Sequence, residues 1–421
     1  MRIATLLLSS AAALAATTGA RSADVIMVEP EPVNFVRVCD VYGTGFFYIP
    51  GTETCMRIGG YVRMQINAAG DPAVNSEGDD YDVDTAVRAR LNFDVREETE
   101  LGLLRAFARL QATNNSGGNA AYTMDQGYVQ LGGLLLGYRD SLWANDVGGI
   151  EDGLLTDTDL TLGDINTNQI SYTFALGGLS AVIGLEDDGT GDFTPDVHGK
   201  LVYSGAWGGA FLSAVYDETF NTEDAEDFFF SPFIDDEDFI GGAVGLPGLR
   251  PLVEDGSNDA FALKAGLQLN DILTEGSALS VEGSYAFDPT VYSTIGGLGN
   301  AFSLSADDAS VRNPTPGEAT LFVEWALGAG YRQSVGDFTV AVAGQYGELF
   351  DTTYVTGFDA ATGAFSSATT AGSYYSLVGN VGYDFTSNFG ALAEIQYTDV
   401  DFDDLGSVDQ TRGFLRFVRS F

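Results

Sequence analysis

The sequence predicts an all-β fold, a transmembrane antiparallel β-barrel of about 16 strands, on three observations. Segments with one apolar and one polar face recur from about residue 56 to the end. The connections between them alternate between short and long. After an N-terminal leader, no stretch approaches the ~18 consecutive apolar residues that a membrane helix needs.

Across residues 56–67 one set of side chains reads Met56, Ile58, Gly60, Val62, Met64, Ile66, and the other reads Arg57, Gly59, Tyr61, Arg63, Gln65, Asn67. Across residues 87–96 the sets are Val87, Ala89, Leu91, Phe93, Val95 and Arg88, Arg90, Asn92, Asp94, Arg96. Successive side chains on a strand point to opposite faces, so each segment has an apolar wall and a polar wall. A soluble sandwich alternates too, with mostly Thr, Ser and Lys outside. Stacked arginines with almost no lysine point instead to a lumen.

Short links fall at residues 97–101, 132–133, 176–178, 204–208, 271–276, 335–336 and 386–388. Long, polar, acidic links fall near 68–84, 113–120, 141–167, 187–196, 218–257, 288–317, 348–371 and 401–409. Seven short and eight long connections imply 16 strands. An even strand number, short periplasmic turns and long outer loops are the pattern of outer-membrane barrels.

The first residues read as a secretory signal peptide over 1–23. Met1-Arg2 is basic, residues 3–16 are apolar around Leu6-Leu7-Leu8, and small residues follow through Ala23. Export to the bacterial outer membrane follows, with residues 24–55 as a periplasmic-side segment and 56–421 as the barrel. Residues 413–421 end on Phe421 and resemble the C-terminal signal of outer-membrane proteins, from which Arg419 departs.

Composition excludes other classes. A formal net charge of −41 rules out non-specific nucleic-acid binding, which needs Lys and Arg against phosphate. The acid is concentrated: residues 218–257 carry eleven acidic side chains against Arg250, as solvated loops do. A single histidine, His198, expected at a strand end or in a loop, and two cysteines leave little material for catalysis or metal binding. Neither an enzyme nor a cofactor is expected. The acidic runs at 187–192 and 235–238 lack the full spacing of a calcium loop, and bridging by divalent ions to lipopolysaccharide stays open. Mean hydropathy of +0.05 fits a soluble protein and equally a barrel whose lipid-facing and water-facing sets average out.

Cys39 and Cys55 enclose 15 residues of an exported chain, so the oxidising periplasm should join them. Closing such a loop is worth about 3 kcal/mol in the chain-entropy picture. The alternative is a pair of unpaired core thiols.

The run Cys39-Asp40-Val41-Tyr42-Gly43-Thr44-Gly45-Phe46-Phe47-Tyr48-Ile49-Pro50-Gly51-Thr52-Glu53-Thr54-Cys55-Met56-Arg57-Ile58-Gly59-Gly60-Tyr61-Val62-Arg63 resembles the N-terminal signature of the alphaproteobacterial general porins, as does Glu29-Pro30-Glu31-Pro32-Val33 before it. The likeness extends more weakly through Gly132-Gly133-Leu134 and Arg139-Asp140-Ser141 to the C-terminal strand. It implies a homotrimeric general-diffusion channel for small hydrophilic solutes and ions, seated in lipid, with its third loop folded inward.

On that footing the basic wall of a constriction is expected from Arg63, Arg88, Arg90, Arg105 and Arg109, all on polar strand phases. The third long loop supplies the facing acids: Glu151, Asp152, Asp157, Asp159 and Asp164, with Asp146 nearby. A transverse field between such walls aligns water and dipolar solutes, and low-dielectric walls concentrate it. The bland reading is that the arginines pair with acids of neighbouring strands. The excess of acid favours weak cation selectivity. A channel selective for a sugar or an organic acid is the rival, but Tyr61, Phe107, Tyr331 and Tyr346 make no aromatic track.

Overall fold

The computed structural model describes residues 37–70, 81–115, 118, 122–146, 150, 153–158, 160, 162–189, 193–218, 250–251, 260–298, 319–359, 364–403 and 406–421. Among them, sixteen antiparallel strands close into a ring. They are β1 (Cys55–Gly70), β2 (Tyr81–Thr99), β3 (Gly102–Asn115), β4 (Thr123–Leu131), β5 (Leu134–Asp140), β6 (Asn166–Leu176), β7 (Leu179–Glu186) and β8 (Asp196–Gly205). They continue as β9 (Gly208–Asp217), β10 (Ala260–Asn270), β11 (Ser277–Ala286), β12 (Ala319–Val335), β13 (Phe338–Asp359), β14 (Ala364–Thr386), β15 (Phe389–Phe402) and β16 (Gly406–Ser420). Each pairs with its sequence neighbour, and β16 returns to β1 with Phe417 opposite Met64, so the ring has no open edge.

The seven short connections fall where the spacing predicts them. Several of the expected long ones are shorter, the first because β1 and β2 stay paired to Gly70 opposite Tyr81. The β13–β14 ladder continues to Asp359 opposite Ala364, and β15–β16 continues to Phe402 opposite Gly406. The Thr-, Tyr- and Val-rich residues 352–355 favour extended backbone, and continuing the ladder satisfies peptide groups that a loop would leave to water.

Burial is inverted relative to a soluble protein. Ile58, Val62, Met64 and Ile66 lie 36–51% exposed on the outer face, while Arg88, Asp94, Lys264, Glu282 and Glu394 are at most 5% exposed on the inner one. Such an outer face suits lipid, and ring closure meets the requirement that every backbone polar group be paired in hydrocarbon. Outer aromatics form two bands. Near the short turns are Phe338 against Tyr383 and Phe385 against Phe389, with centroids 4.6 and 5.1 Å apart. Toward the long loops are Trp325 against Tyr346 and Tyr375 against Tyr397, at 5.6 and 5.8 Å.

The apolar core consists of side chains between β5 and β6 packed on the inner face of the later strands. Trp143 and Ile165 meet Val215, Ala262, Ala286 and Tyr292. Ile150 meets Val202 and Phe211, and Leu154 and Leu160 meet Ala343 and Val378. Leu162 joins Val323, Tyr374 and Val400. A Cβ at Gly330 would overlap the Leu154 carbonyl, so the approach of this segment to β12 depends on glycine there. Ahead of the ring, Cys39 and Cys55 are joined as expected, around a 3₁₀ turn (Asp40–Tyr42) and a short strand (Phe47–Tyr48) that pairs with Cys55 and Met56.

Candidate functional site

The polar phases of the first strands form a continuous basic surface inside the ring. Arg63 stands opposite Arg88, Tyr61 opposite Arg90, Asn92 opposite Arg109, and Arg96 opposite Arg105. Directly opposed like charges destabilise a ladder. Asp94 resolves this conflict for Arg96 and Arg105, and Asp125 offsets the charge of Arg90 and Arg109. Asp94, 1% exposed, accepts from Nε and Nη2 of Arg96 at 3.0 and 2.7 Å and from Nε and Nη2 of Arg105 at 2.9 and 3.1 Å, with Arg57 Nη2 at 3.7 Å. Asp125 lies 3.3 Å from Arg109 Nη1 and 3.5 Å from Arg90 Nη2. Aromatic rings occupy the spaces between: the Arg105 guanidinium is 5.0 Å from the Phe107 ring and 5.4 Å from Tyr128, and Arg90 is 5.1 Å from Tyr61.

Asp125 reaches the wall through a bulge. Arg109 pairs with Gln126 but Leu110 pairs with Met124, so Asp125 is the extra residue in β4. Strict alternation from Gln126 and Tyr128 would turn Asp125 outward. The bulge instead leaves Met124 54% exposed and turns Asp125 to the arginines.

A cavity of about 1540 Å³ opens against this wall. Its lining includes Arg90, Arg105, Arg109 and Arg139, with the carboxylates Asp94, Asp125, Asp140, Asp146 and Asp164. Of the five arginines expected at a constriction, three line this cavity. Arg63 and Arg88 lie further along the same face; Arg88 is 4% exposed and donates from Nε to Thr113 Oγ1 at 2.8 Å. Of the expected loop acids, Asp164 lines the cavity. Asp157 instead pairs with Arg416 of β16, which also donates to Gln65 on β1 at 2.7 Å. Glu151, Asp152 and Asp159 lie outside the described residues, as do the acidic run 235–238 and nearly all of 218–257. Tyr61 and Phe107 line the cavity, whereas Tyr346 is 43% exposed on the outer face.

The opposite arc of the wall holds the β5–β6 segment by its backbone. Glu186 of β7 accepts from Leu142 N at 2.7 Å, Glu282 of β11 from Gly153 N at 3.3 Å, and Glu394 of β15 from Asp157 N and Thr158 N at 2.9 and 2.7 Å. Asn380 also donates to Glu394, at 2.8 Å. Lone acids on apolar-alternating strands gave no sign of this role in the sequence. His198 sits near the start of β8, 2% exposed, with Nε2 3.2 Å from Glu186 Oε2 and its ring against Tyr292. Tyr292 in turn donates to Asp196 at 2.5 Å. Among the described residues no cluster of His, Cys, Asp or Glu is arranged to hold a metal ion.

The comparisons with known proteins agree with this architecture. A family model described as "Porin subfamily" matches residues 24–414. The chain is 42% identical over 243 residues to porin Omp2b of Brucella canis and, equally, of Brucella melitensis, alignments covering 52% of this chain and 66% of those proteins. It thus spans just under two thirds of the length of these curated relatives. Among solved structures, the outer membrane channel DcaP of Acinetobacter baumannii superposes with a TM-score of 0.59 at 14% identity, over 89% of this chain and 99% of that one. OmpT, an outer membrane protein of Vibrio cholerae, superposes at 0.50 with 10% identity, over 89% and 99%. These two speak to the fold. The family match spans nearly the whole barrel, and on it the chain belongs to the porin subfamily.

Proposed function

We propose that the chain forms a water-filled channel in the bacterial outer membrane for passive diffusion of small hydrophilic solutes and ions. The observation that carries this reading is the closed ring whose apolar face is outside and whose charged face surrounds the cavity beside the β5–β6 segment. A closed barrel satisfies its backbone in lipid, and a polar interior keeps its water.

The constriction in this reading lies between the β5–β6 segment, folded into the lumen, and the arginine wall. Arg90, Arg105 and Arg109 form its basic side with Arg63 and Arg88 above them, and Asp157 and Asp164 belong to its acidic side together with Glu151, Asp152 and Asp159. The low-dielectric walls focus the field across this gap, so dipolar solutes pass in oriented water while apolar ones must disrupt it. Export through cleavage of residues 1–23, a periplasmic position for residues 24–55, a homotrimer, contact with lipopolysaccharide and weak cation selectivity complete the proposal; the trimer rests on family likeness.

Planar-bilayer recording under a salt gradient tests it. Stepwise openings in threes, modest ion selectivity and passage of neutral sugars are expected. Heat-modifiable protein that opens no channels would overturn the transport reading. Conductance that saturates with a single solute class would replace diffusion with a substrate-selective channel.

A further inference from the structure

The disulfide-closed segment at the N-terminus is more than a staple. Its apolar residues Cys39, Phe46 and Cys55 are 1–2% exposed and pack with Tyr42 and Tyr48. Phe46 does not face lipid. Its ring lies 5.0 Å from the guanidinium of Arg57 and 5.0 Å from that of Arg96, and the Tyr42 ring is 5.9 Å from Arg96. Both arginines belong to the inner-wall phase, and both converge on Asp94, which also holds Arg105. Thr44 and Gly45, just before Phe46, line the same cavity as Arg90 and Arg109. The segment is tied down beyond the disulfide as well. Cys39 N donates to Phe46 O at 3.0 Å, Tyr48 N to Arg37 O at 2.9 Å, and Thr54 Oγ1 to Glu97 at 2.8 Å.

The placement has a geometric cause. β16 pairs with β1 from Tyr61 onward and Phe421 adds a reciprocal pair of hydrogen bonds at Gly60, which leaves the residues of β1 before Gly60 without a neighbour from β16 on that side. Phe47 and Tyr48 fill that edge by pairing with Met56 and Cys55. The turn just before them therefore lies over the inner face, and Phe46 lands on the arginines.

We infer that the disulfide-closed segment is part of the channel wall, and that Phe46 is a specificity-determining residue that positions Arg57 and Arg96 at the mouth nearest the short turns. The inference rests on the channel reading above. The ring face holds the two guanidiniums by cation–π attraction, each 5.0 Å from its centroid. It thereby keeps them on Asp94 and sets how much unscreened positive charge the mouth presents.

The test uses heat-modifiable protein in planar bilayers. In a T44C variant, a trimethylammonium-bearing methanethiosulfonate reagent should lower each conductance step, while the wild type, with both cysteines joined and buried, should not respond. F46A should raise the conductance and move the zero-current potential under a KCl gradient toward the anion. F46L keeps most of the bulk without the ring face and should restore the conductance but not the potential. T44C channels whose current is unchanged after labelling verified by mass, or F46A channels with the wild-type zero-current potential, overturn the inference. If F46A does not fold, the T44C result decides alone. A wild type that opens no channels would bring down the channel reading, and this inference with it; conducting wild type with unresponsive variants brings down this inference only.

Discussion

The arc of inner wall from β16 through β5 is marked by arginines, the arc from β7 through β15 by buried carboxylates together with Lys200 and Lys264, and the two use their charge differently. On the first arc, arginines are neutralised within the wall by Asp94 and Asp125 and separated by Tyr61, Phe107 and Tyr128, and they keep a share of water: Arg90, Arg105 and Arg109 side chains are 19–27% exposed. On the second, Glu186, Glu282 and Glu394 are 0–5% exposed and accept backbone amides of the β5–β6 segment. One arc presents its charge to the cavity; the other spends its charge on holding a loop. A carboxylate that accepts backbone N–H groups fixes position regardless of the loop's side chains, which leaves those free to vary without losing the anchor.

That contrast can be broken from either side. The largest effect is expected at the foot of the held segment. Trp143 is fully buried and donates from Nε1 to Leu162 O at 2.9 Å, so Trp143→Ala should cost about 3–5 kcal/mol in unfolding experiments in detergent. Wild-type unfolding midpoints would show that the segment does not depend on this foot. Next is Glu394→Ala, which leaves Asp157 N, Thr158 N and the Asn380 amide without their acceptor and should cost ~2–4 kcal/mol, with noisier and larger channel conductance. Quiet channels of wild-type size would place the hold elsewhere.

On the basic arc, Asp94→Asn should cost less, ~1–3 kcal/mol, because its arginine partners retain water, and its main effect should be on selectivity. The zero-current potential should move toward the anion; an unmoved potential would mean the triad is shielded from the conducting path. The smallest change is expected for Arg416→Gln. The side chain of Asp157 is 29% exposed, so the pair should contribute under about 1 kcal/mol, read as a small rise in current noise. A loss as large as that of Glu394→Ala would make the ion pair, and not the backbone acceptors, the true clasp.

How much of this was legible in advance depends on whether the signal was periodic. Arg63, Arg88, Arg90, Arg105 and Arg109 fall on the inner phase because a strand alternates with period two, and one correct phase places every residue of the run. Asp94 lies on the same phase, but phase alone does not say which arginines it meets. Asp125 could not be placed by phase at all, since a one-residue bulge reverses the face of what lies beyond it. The late ends of β13 and β15 escaped for a related reason: polar Thr- and Asp-rich residues read as loop, yet pair well as hairpin extensions.

The amino-acid order alone was enough for the ring of sixteen strands, its inner and outer faces and the disulfide, because alternation, turn spacing and a pair of cysteines close in sequence are local signals. Tertiary structure decided which carboxylate meets which arginine, and it decided that Glu186, Glu282 and Glu394 hold a segment up to more than two hundred residues away in the chain. Those pairings depend on the curvature that brings opposite walls within reach of one loop, and closure of a barrel is a property of the whole set of strands, written in no single one of them.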